Sequence, residues 1–330
     1  MDEPTSSLTP QEFERLVEVI ANLRSQGVSV IYVSHKMDEV YRLCQSATIL
    51  RDGRLVGRVA LPETPVAEVI EMMVGRALVH GGHRSFAQDR VVLEARGLSR
   101  GRAVREASFT LRAGEVLCIA GLVGSGRTEL MRLIAGVDAA DGGTVLVDGR
   151  VVPGNDPRRR IRAGLGLLPE ERKRDGIVRH RPITSNIALP AMGRFARFGL
   201  MRRGHLKGRA VELMREVQLR PLDVDRPIGS FSGGNQQKAI IGRWLAADTR
   251  IFLFDEPTRG IDVGAKAEIY ALIERLAQEG RAILVVSSEL PEVIRLADRV
   301  LVMREGRIAG ELGPGEITEA AIARFAIPAA

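Results

Sequence analysis

Apolar residues at Phe13, Leu16, Val17, Ile20 and Leu23 recur at helical spacing. They follow Thr9-Pro10-Gln11-Glu12, a capping box with proline at the first helical position. Gly27 ends this predicted helix, and Val28 to Ser34 reads as a short apolar strand. The pattern then predicts a helix near Met37 to Leu43 and a strand near Ala47 to Leu50. Asp52-Gly53 predicts a hairpin turn into a strand from Arg54 to Val59, and Thr64 a cap for a helix through Met73. Periodicity fails over residues 77–90 (ALVHGGHRSFAQDR), which predicts a linker. Beyond Val91, strand-like stretches at 91–96 and 105–112 lead into a strand from Glu115 to Ala120. A further apolar strand runs from Ile251 to Phe254.

The chain repeats itself. Residues 2–57 align with residues 255–310 without a gap, at a constant offset of 253. DEPT stands at 2–5 and at 255–258, Gly27 matches Gly280, Ser34 matches Ser287, and Glu39-Val40 matches Glu292-Val293. Arg51, Gly53, Arg54 and Gly57 match Arg304, Gly306, Arg307 and Gly310. The register predicts two copies of one module, of which the first contains only its later part.

Composition narrows the class. The chain has 330 residues, enough for about two domains, with 45% apolar and 4% aromatic residues, which suits packed α/β layers. The formal net charge of +7 allows nucleic acid, an anionic membrane surface or phosphorylated ligands as partners. Cys44 and Cys118 sit in apolar surroundings and predict free thiols in a reducing cytosol. No apolar run has the length of a membrane span, and MDEPTSSLTP has neither the basic nor the apolar region of a signal peptide. His80 and His83 lack nearby cysteine or acidic ligands and read as linker residues. Arg158, Arg159, Arg160 and Arg162 lack interleaved aromatic residues, so they read as a solvated helix face and no nucleic-acid partner is expected. Met72, Met73 and Trp244 read as core.

The residues that carry chemistry begin at GLVGSGRT (121–128), between an apolar strand and a helix marked by Leu130, Leu133 and Ile134. That is the setting of a phosphate-binding loop. Gly121, Gly124 and Gly126 let backbone N–H groups turn toward phosphate, the helix N-terminus adds positive potential, and Thr128 offers a hydroxyl to Mg²⁺. Arg127 stands where such loops carry lysine. Asp255 and Glu256, at the end of the strand from Ile251, suit a metal carboxylate and a base for an attacking water.

FSGGNQQK (231–238), about 20 residues before DEPT and downstream of the phosphate loop, resembles the signature of ABC ATPases. GLVGSGRTEL, PEERKRDG, FSGGNQQK, VSSE and MMVGR (72–76) together resemble the fused two-cassette ATPases of ribose, galactoside, xylose and arabinose importers. The resemblance implies an α/β P-loop NTPase fold: a complete ABC cassette over 91–330 with a helical subdomain at about 183–245, preceded by the C-terminal part of another cassette over 1–76. It implies ATP and Mg²⁺ as ligands, with Ser125 and the rest of the loop, Glu170, Ser232, Gly233, Gly234 and Ser288 around the nucleotide, and Asp2, Thr128 and Asp255 toward the metal. Glu170 occupies the family's glutamine position, and Ser288 that of its switch histidine, which the first copy keeps as His35. The family's first cassette is the competent one, so Asp2, Glu3 and His35 are expected at the hydrolytic site, with Ser232, Gly233 and Gly234 closing it from across the interface, while Glu256 serves a degenerate pocket.

Implied partners are the membrane permease subunits, contacted by the helical insert, a complementary cassette, and indirectly a periplasmic or extracellular sugar-binding protein. The implied location is the cytoplasmic face of the inner membrane. Because the chain opens at the metal carboxylate, Met1 reads as a misplaced start or a fragment boundary. Two other readings remain open at this point: a soluble ABC ATPase acting on ribosomes or DNA, and an inert remnant.

Overall fold

A computed structural model describes residues 1–2, 4–5, 10–34, 36–51, 54–74, 84–198 and 200–327. Thr9, Asp52-Gly53, His80 and His83 lie outside the described residues, as do Glu3 and His35. Two compact units divide the chain: residues 1–81 with 262–267, and residues 82–261 with 268–330.

The first unit contains α1 (Pro10–Ser25), α2 (Met37–Leu43), the antiparallel pair β1 (Ser46–Arg51) and β2 (Arg54–Ala60), and α3 (Val66–Val74). Its core is small: Val40, Ile49, Leu61 and Val69, with Met72 and Met73 packed against them. The Thr64 hydroxyl donates to the Ala60 carbonyl at 2.9 Å. One expectation fails here: Val28 to Ser34 forms no strand. The isolated bridge Asp2–Val33 and a bond from the Met1 ammonium to the Ile31 carbonyl at 2.8 Å join it to the start of the chain. Ile31 stays 82% exposed, and an open groove of roughly 850 Å³ lies along this segment between Ile20, Val40, Leu43 and Ile49.

The second unit is built on two sheets. β3 (Val91–Arg100), β4 (Val104–Arg112), β6 (Gly142–Val147) and β7 (Arg150–Val151) form an antiparallel sheet in the order β4-β3-β6-β7. The other sheet has the order β14-β13-β5-β12-β11-β8, from β5 (Val116–Gly121), β8 (Leu165–Leu168), β11 (Ile251–Asp255), β12 (Ala282–Val286), β13 (Arg299–Arg304) and β14 (Arg307–Leu312). Its strands are parallel except for β14. Every residue of β11 and β12 is buried, the continuous apolar signature of a parallel strand covered on both faces. α4 (Arg127–Ile134) places Leu130, Met131 and Ile134 in one core with Leu93, Leu117 and Leu284. Residues upstream of Val91 are bonded to this unit: the Gln88 N–H donates to the Ala113 carbonyl at 2.8 Å.

α5 (Pro157–Arg162) carries the arginine run, but Arg160 is buried and donates to the Val152 carbonyl at 2.7 Å, so this face is only partly solvated. Helices dominate the next segment: α6 (Ile183–Ala188), a 3₁₀ segment (Leu189–Phe195), the short strands β9 (Ala196–Arg197) and β10 (Leu200–Met201), α7 (Arg203–Glu216) and α8 (Gly233–Ala246). Arg243 of α8 is buried and donates to the Asn186 carbonyl at 2.8 Å, tying α8 to α6; burial pulls its pKa down to about 10. Trp244 is buried, and its indole N–H donates to Leu167 in β8. α9 (Val263–Gln278), α10 (Leu290–Leu296) and α11 (Glu319–Ala326) complete the elements. Cys44 is half-buried, Cys118 is buried, and both are free thiols. Among the described residues no helix is long and apolar enough to cross a membrane.

The repeat yields a paired test of burial. Ile31 and Leu284 occupy equivalent positions, yet Leu284 is 0% exposed. Leu284→Ala should cost about 2–5 kcal/mol of stability, whereas Ile31→Ala should stay within about 0.5 kcal/mol. Denaturant unfolding of both variants of the chain checks this, and equal losses would contradict the burial difference.

Candidate functional site

Parallel order brings the site together. β5 lies between β13 and β12, and β11 flanks β12, so the segments after β5, β11 and β12 leave from the same edge of the sheet. Ligands bind at that edge in open α/β sheets. The segment after β5 is the glycine-rich loop. Gly126 has φ +100, and a Cβ there would lie 2.0 Å from the Ala103 carbonyl oxygen; at Gly121 it would meet the Met303 oxygen at 2.4 Å. Only glycine fits either position. Gly124 is exposed, Ser125 is buried, and the Ser125 hydroxyl has no hydrogen-bond partner. A buried polar atom without a partner, beside the free N–H groups that begin α4, is chemistry that an anionic phosphate completes.

Thr128 places its hydroxyl 3.2 Å from Asp255 Oδ1 and 3.4 Å from Glu170 Oε2. The Asp255 carboxyl is pushed up to about 7, chiefly by burial, with Glu170 and Glu256 adding to the rise and the Thr128 hydrogen bond and the charge of Arg127 opposing it. Thr128, Asp255 and Glu170 thus offer hard oxygen donors that fit Mg²⁺. No group of three or more His, Cys, Asp or Glu among the described residues encloses a metal.

Arg127 is buried, and its side chain reaches across the site. Nη1 donates to the Ser287 carbonyl at 2.8 Å, and Nη2 lies 4.0 Å from Glu256 Oε1. The other oxygen of Glu256 accepts from the Ser288 hydroxyl at 3.1 Å. Glu256 also has φ +50, a left-handed backbone that costs a non-glycine residue free energy and recurs at functional sites. Arg127, Glu256 and Ser288 therefore form one cluster, and the guanidinium fork is engaged before any phosphate arrives.

Ser232 is the N-cap of α8; its exposed hydroxyl accepts from the Asn235 N–H. Gly233 follows in close contact: a Cβ there would meet Arg172 Nη2 at 2.9 Å. Gly234 is buried. Asp2 is exposed and held by its bridge to Val33, while Glu3 and His35, the other two residues expected with it, lie outside the described residues.

Four residues, Arg259, Glu292, Thr258 and Ser287, were given no role from the sequence. Arg259 pairs with the second oxygen of Glu170 and lies 3.9 Å from Glu171. Glu292, buried, accepts from the Thr258 hydroxyl at 3.0 Å and from the Ser287 hydroxyl. The repeat carried the signal for the last three: Glu39 accepts from Thr5 at 2.6 Å and from Ser34 at 3.4 Å, at the same offset. Nothing in the sequence pointed to Arg259.

The fold of the second unit is that of an ABC-type ATP-binding cassette, a P-loop NTPase. Residues 104–259 match the family model described as ABC transporter. The chain superposes on a nucleotide-free ATP-binding cassette from an ABC transporter with a TM-score of 0.61 and 21% identity, covering 71% of this chain and 94% of that one. Its similarity to curated proteins is greater. It is 46% identical over 330 residues to a Burkholderia lata protein provisionally named for ribose, galactose and methyl galactoside import and ATP binding, covering 99% of this chain and 64% of that protein. It is also 46% identical over 321 residues to "Ribose import ATP-binding protein RbsA 1" of Rubrobacter xylanophilus, covering 97% of this chain and 64% of that protein. The chain thus spans just under two thirds of the length of these relatives.

The Asp255 environment sets a pH dependence. Its folded pKa stands above its ordinary value of 3.8, so the folded form favours the proton, and this stabilising preference is lost as pH rises from about 3.8 through about 7. Asp255→Asn should therefore raise the denaturation midpoint above pH 7 and leave it nearly unchanged below pH 4. Denaturant titrations across that range check it; an equal effect at all pH values would show that the carboxyl is not held protonated.

Proposed function

We propose that this chain is ATP-binding and ATP-hydrolysing machinery that couples nucleotide turnover to the import of a monosaccharide, and that it comes from a two-cassette ATPase. The observation that carries the reading is likeness to sugar-import ATP-binding proteins along 97–99% of the chain, through both units. Residues 91–330 act as one cassette and residues 1–76 as the C-terminal part of the other, with 77–90 as the linker. The open groove beside Ile31 supports this division, because it leaves apolar side chains where a cassette has further strands. The partners are permease subunits in the membrane, a complementary cassette, and a sugar-binding protein acting through the permease, with the ATPase on the cytoplasmic face.

In the second cassette the loop N–H groups and Ser125 hold the phosphates of ATP, and Thr128, Asp255 and Glu170 are positioned to hold Mg²⁺. The ion would neutralise phosphate charge there. Glu256 is the base position, but Ser288 donates to one of its oxygens at 3.1 Å and the Arg127 guanidinium lies 4.0 Å from the other. Ser288 has no ring nitrogen with which to hold a terminal phosphate. These features support binding of nucleotide with weak turnover in this pocket. The stronger hydrolytic site then belongs to Asp2, Glu3 and His35, completed by Ser232, Gly233 and Gly234 of the complementary cassette.

Reconstitution with permease and binding protein in vesicles tests the function: ATP turnover should rise when one monosaccharide is supplied, and turnover indifferent to every sugar would refute it. Within that assembly Glu3→Gln and His35→Ala should each lower phosphate release by roughly 10²–10³-fold, while Glu256→Gln should lower it less than about threefold, under 1 kcal/mol of barrier. A Glu256 variant as damaged as the Glu3 variant would make the second cassette the working catalyst. Separately, Gly126→Val should abolish binding of a fluorescent ATP analogue to the second cassette, because the side chain would displace the loop from Ala103. Unchanged affinity of that cassette would reduce the loop to a turn.

A further inference from the structure

Between Asp175 and Glu212 the chain carries eight lysines and arginines and no carboxylate. The β9–β10 hairpin stands within this stretch, with Ala196 opposite Met201 and Arg197 opposite Leu200. Its base is anchored. Phe195 is buried, its carbonyl accepts from the Arg202 N–H at 2.8 Å, and its ring lies 5.8 Å from that of His205. The tip is bare: Phe198 is 91% exposed and Leu200 76%. Leu189 and Met192 are exposed on the preceding 3₁₀ segment. Phe198 has φ +51, a conformation that asparagine or glycine adopts more cheaply in a hairpin turn. Neither turn geometry nor core packing accounts for a phenylalanine there.

The cations divide by partner. Arg194 pairs with Asp248, Lys207 with Asp225, and Arg209 with Glu212. Arg197, Arg202 and Arg203 have no carboxylate partner among the described residues, and the Arg197 guanidinium lies 5.3 Å from the Phe198 ring centroid. The hairpin therefore presents a large apolar tip with Arg197 beside it and Arg202 and Arg203 at its base, on a segment without negative charge.

We infer that this hairpin docks directly on the surface of an anionic phospholipid bilayer. Phe198 and Leu200 enter the boundary between headgroups and acyl chains, and Arg197, Arg202 and Arg203 meet lipid phosphates. Charge complementarity selects this partner: an anionic layer above an apolar one matches cations behind an apolar tip, and arginine stems can lie along the interface. This contact is additional to attachment through permease subunits.

Flotation of the full chain with vesicles tests it, using phosphatidylcholine alone or mixed with phosphatidylglycerol. The chain should float with the mixed vesicles, less so as salt rises, and remain behind with phosphatidylcholine alone. Phe198→Ser with Leu200→Ser should lower the partition coefficient by roughly tenfold or more, and Arg202→Gln with Arg203→Gln by about fivefold per charge. Both variants should keep the circular dichroism and ATP-analogue binding of the parent. The inference is overturned if the parent does not float, if the variants float equally well, or if phosphatidylglycerol makes no difference. A defect seen only on vesicles that contain the permease would also overturn it and assign the hairpin to a protein surface.

Discussion

Glu292 is buried in the second unit and accepts hydroxyl hydrogen bonds from Thr258 and Ser287. A carboxylate in that position demands partners, since a buried charge left unpaired is costly. Its partners come from the segment after β11 and from the end of β12. One side chain therefore fixes both turns that carry the chemistry, Asp255-Glu256 on one and Ser287-Ser288 on the other. The first unit keeps the same arrangement, with Glu39 accepting from Thr5 and Ser34. Two copies of the module thus retain the same buried network although the sheets around them differ.

The geometry of those turns explains why Arg127 matters. A lysine in a phosphate loop presents a compact point charge, whereas a guanidinium is planar and forked. Here the fork finds the Ser287 carbonyl and faces Glu256. Both lie on segments that Glu292 holds in place. The same arrangement that positions Glu256 and Ser288 supplies Arg127 with protein partners and places it against Glu256. Glu170 is similarly committed, one oxygen toward Thr128 and the other to Arg259. A ligand entering this pocket must compete with these existing contacts.

Charge is unevenly distributed. The excess in the segment between Asp175 and Glu212 exceeds the net +7 of the whole chain. The buried members of the wider arginine population have structural duties: Arg243 joins two helices and Arg160 packs beneath Gly136. At the β9–β10 hairpin, three arginines without a carboxylate partner among the described residues, Arg197, Arg202 and Arg203, stand beside an exposed apolar tip. A net charge therefore says little by itself; the useful quantity is which cations lack a partner and what apolar surface lies beside them.

Much of the cassette could be read before the structure. The glycines of 121–126 announce a loop because only that residue type allows backbone to approach so closely, and the gapless repeat announces a duplicated module because its register is one-dimensional. The Asp255-Glu256 pair and the Ser232 cap are likewise local signals. Other features depend on distant segments. Val28 to Ser34 and β12 share an apolar pattern, yet β12 lies between β5 and β11 while the earlier segment has one isolated bridge. A strand is completed by its neighbours, and local periodicity does not contain them. Arg160 looked solvated because its helix is arginine-rich, but packing against Val152 turned it inward. The direction taken by Arg127, the pairing of Arg259 with Glu170 and the bare Phe198 tip were decided only by the tertiary structure: a long side chain chooses among partners far apart in sequence, and only the fold determines which of them come within reach.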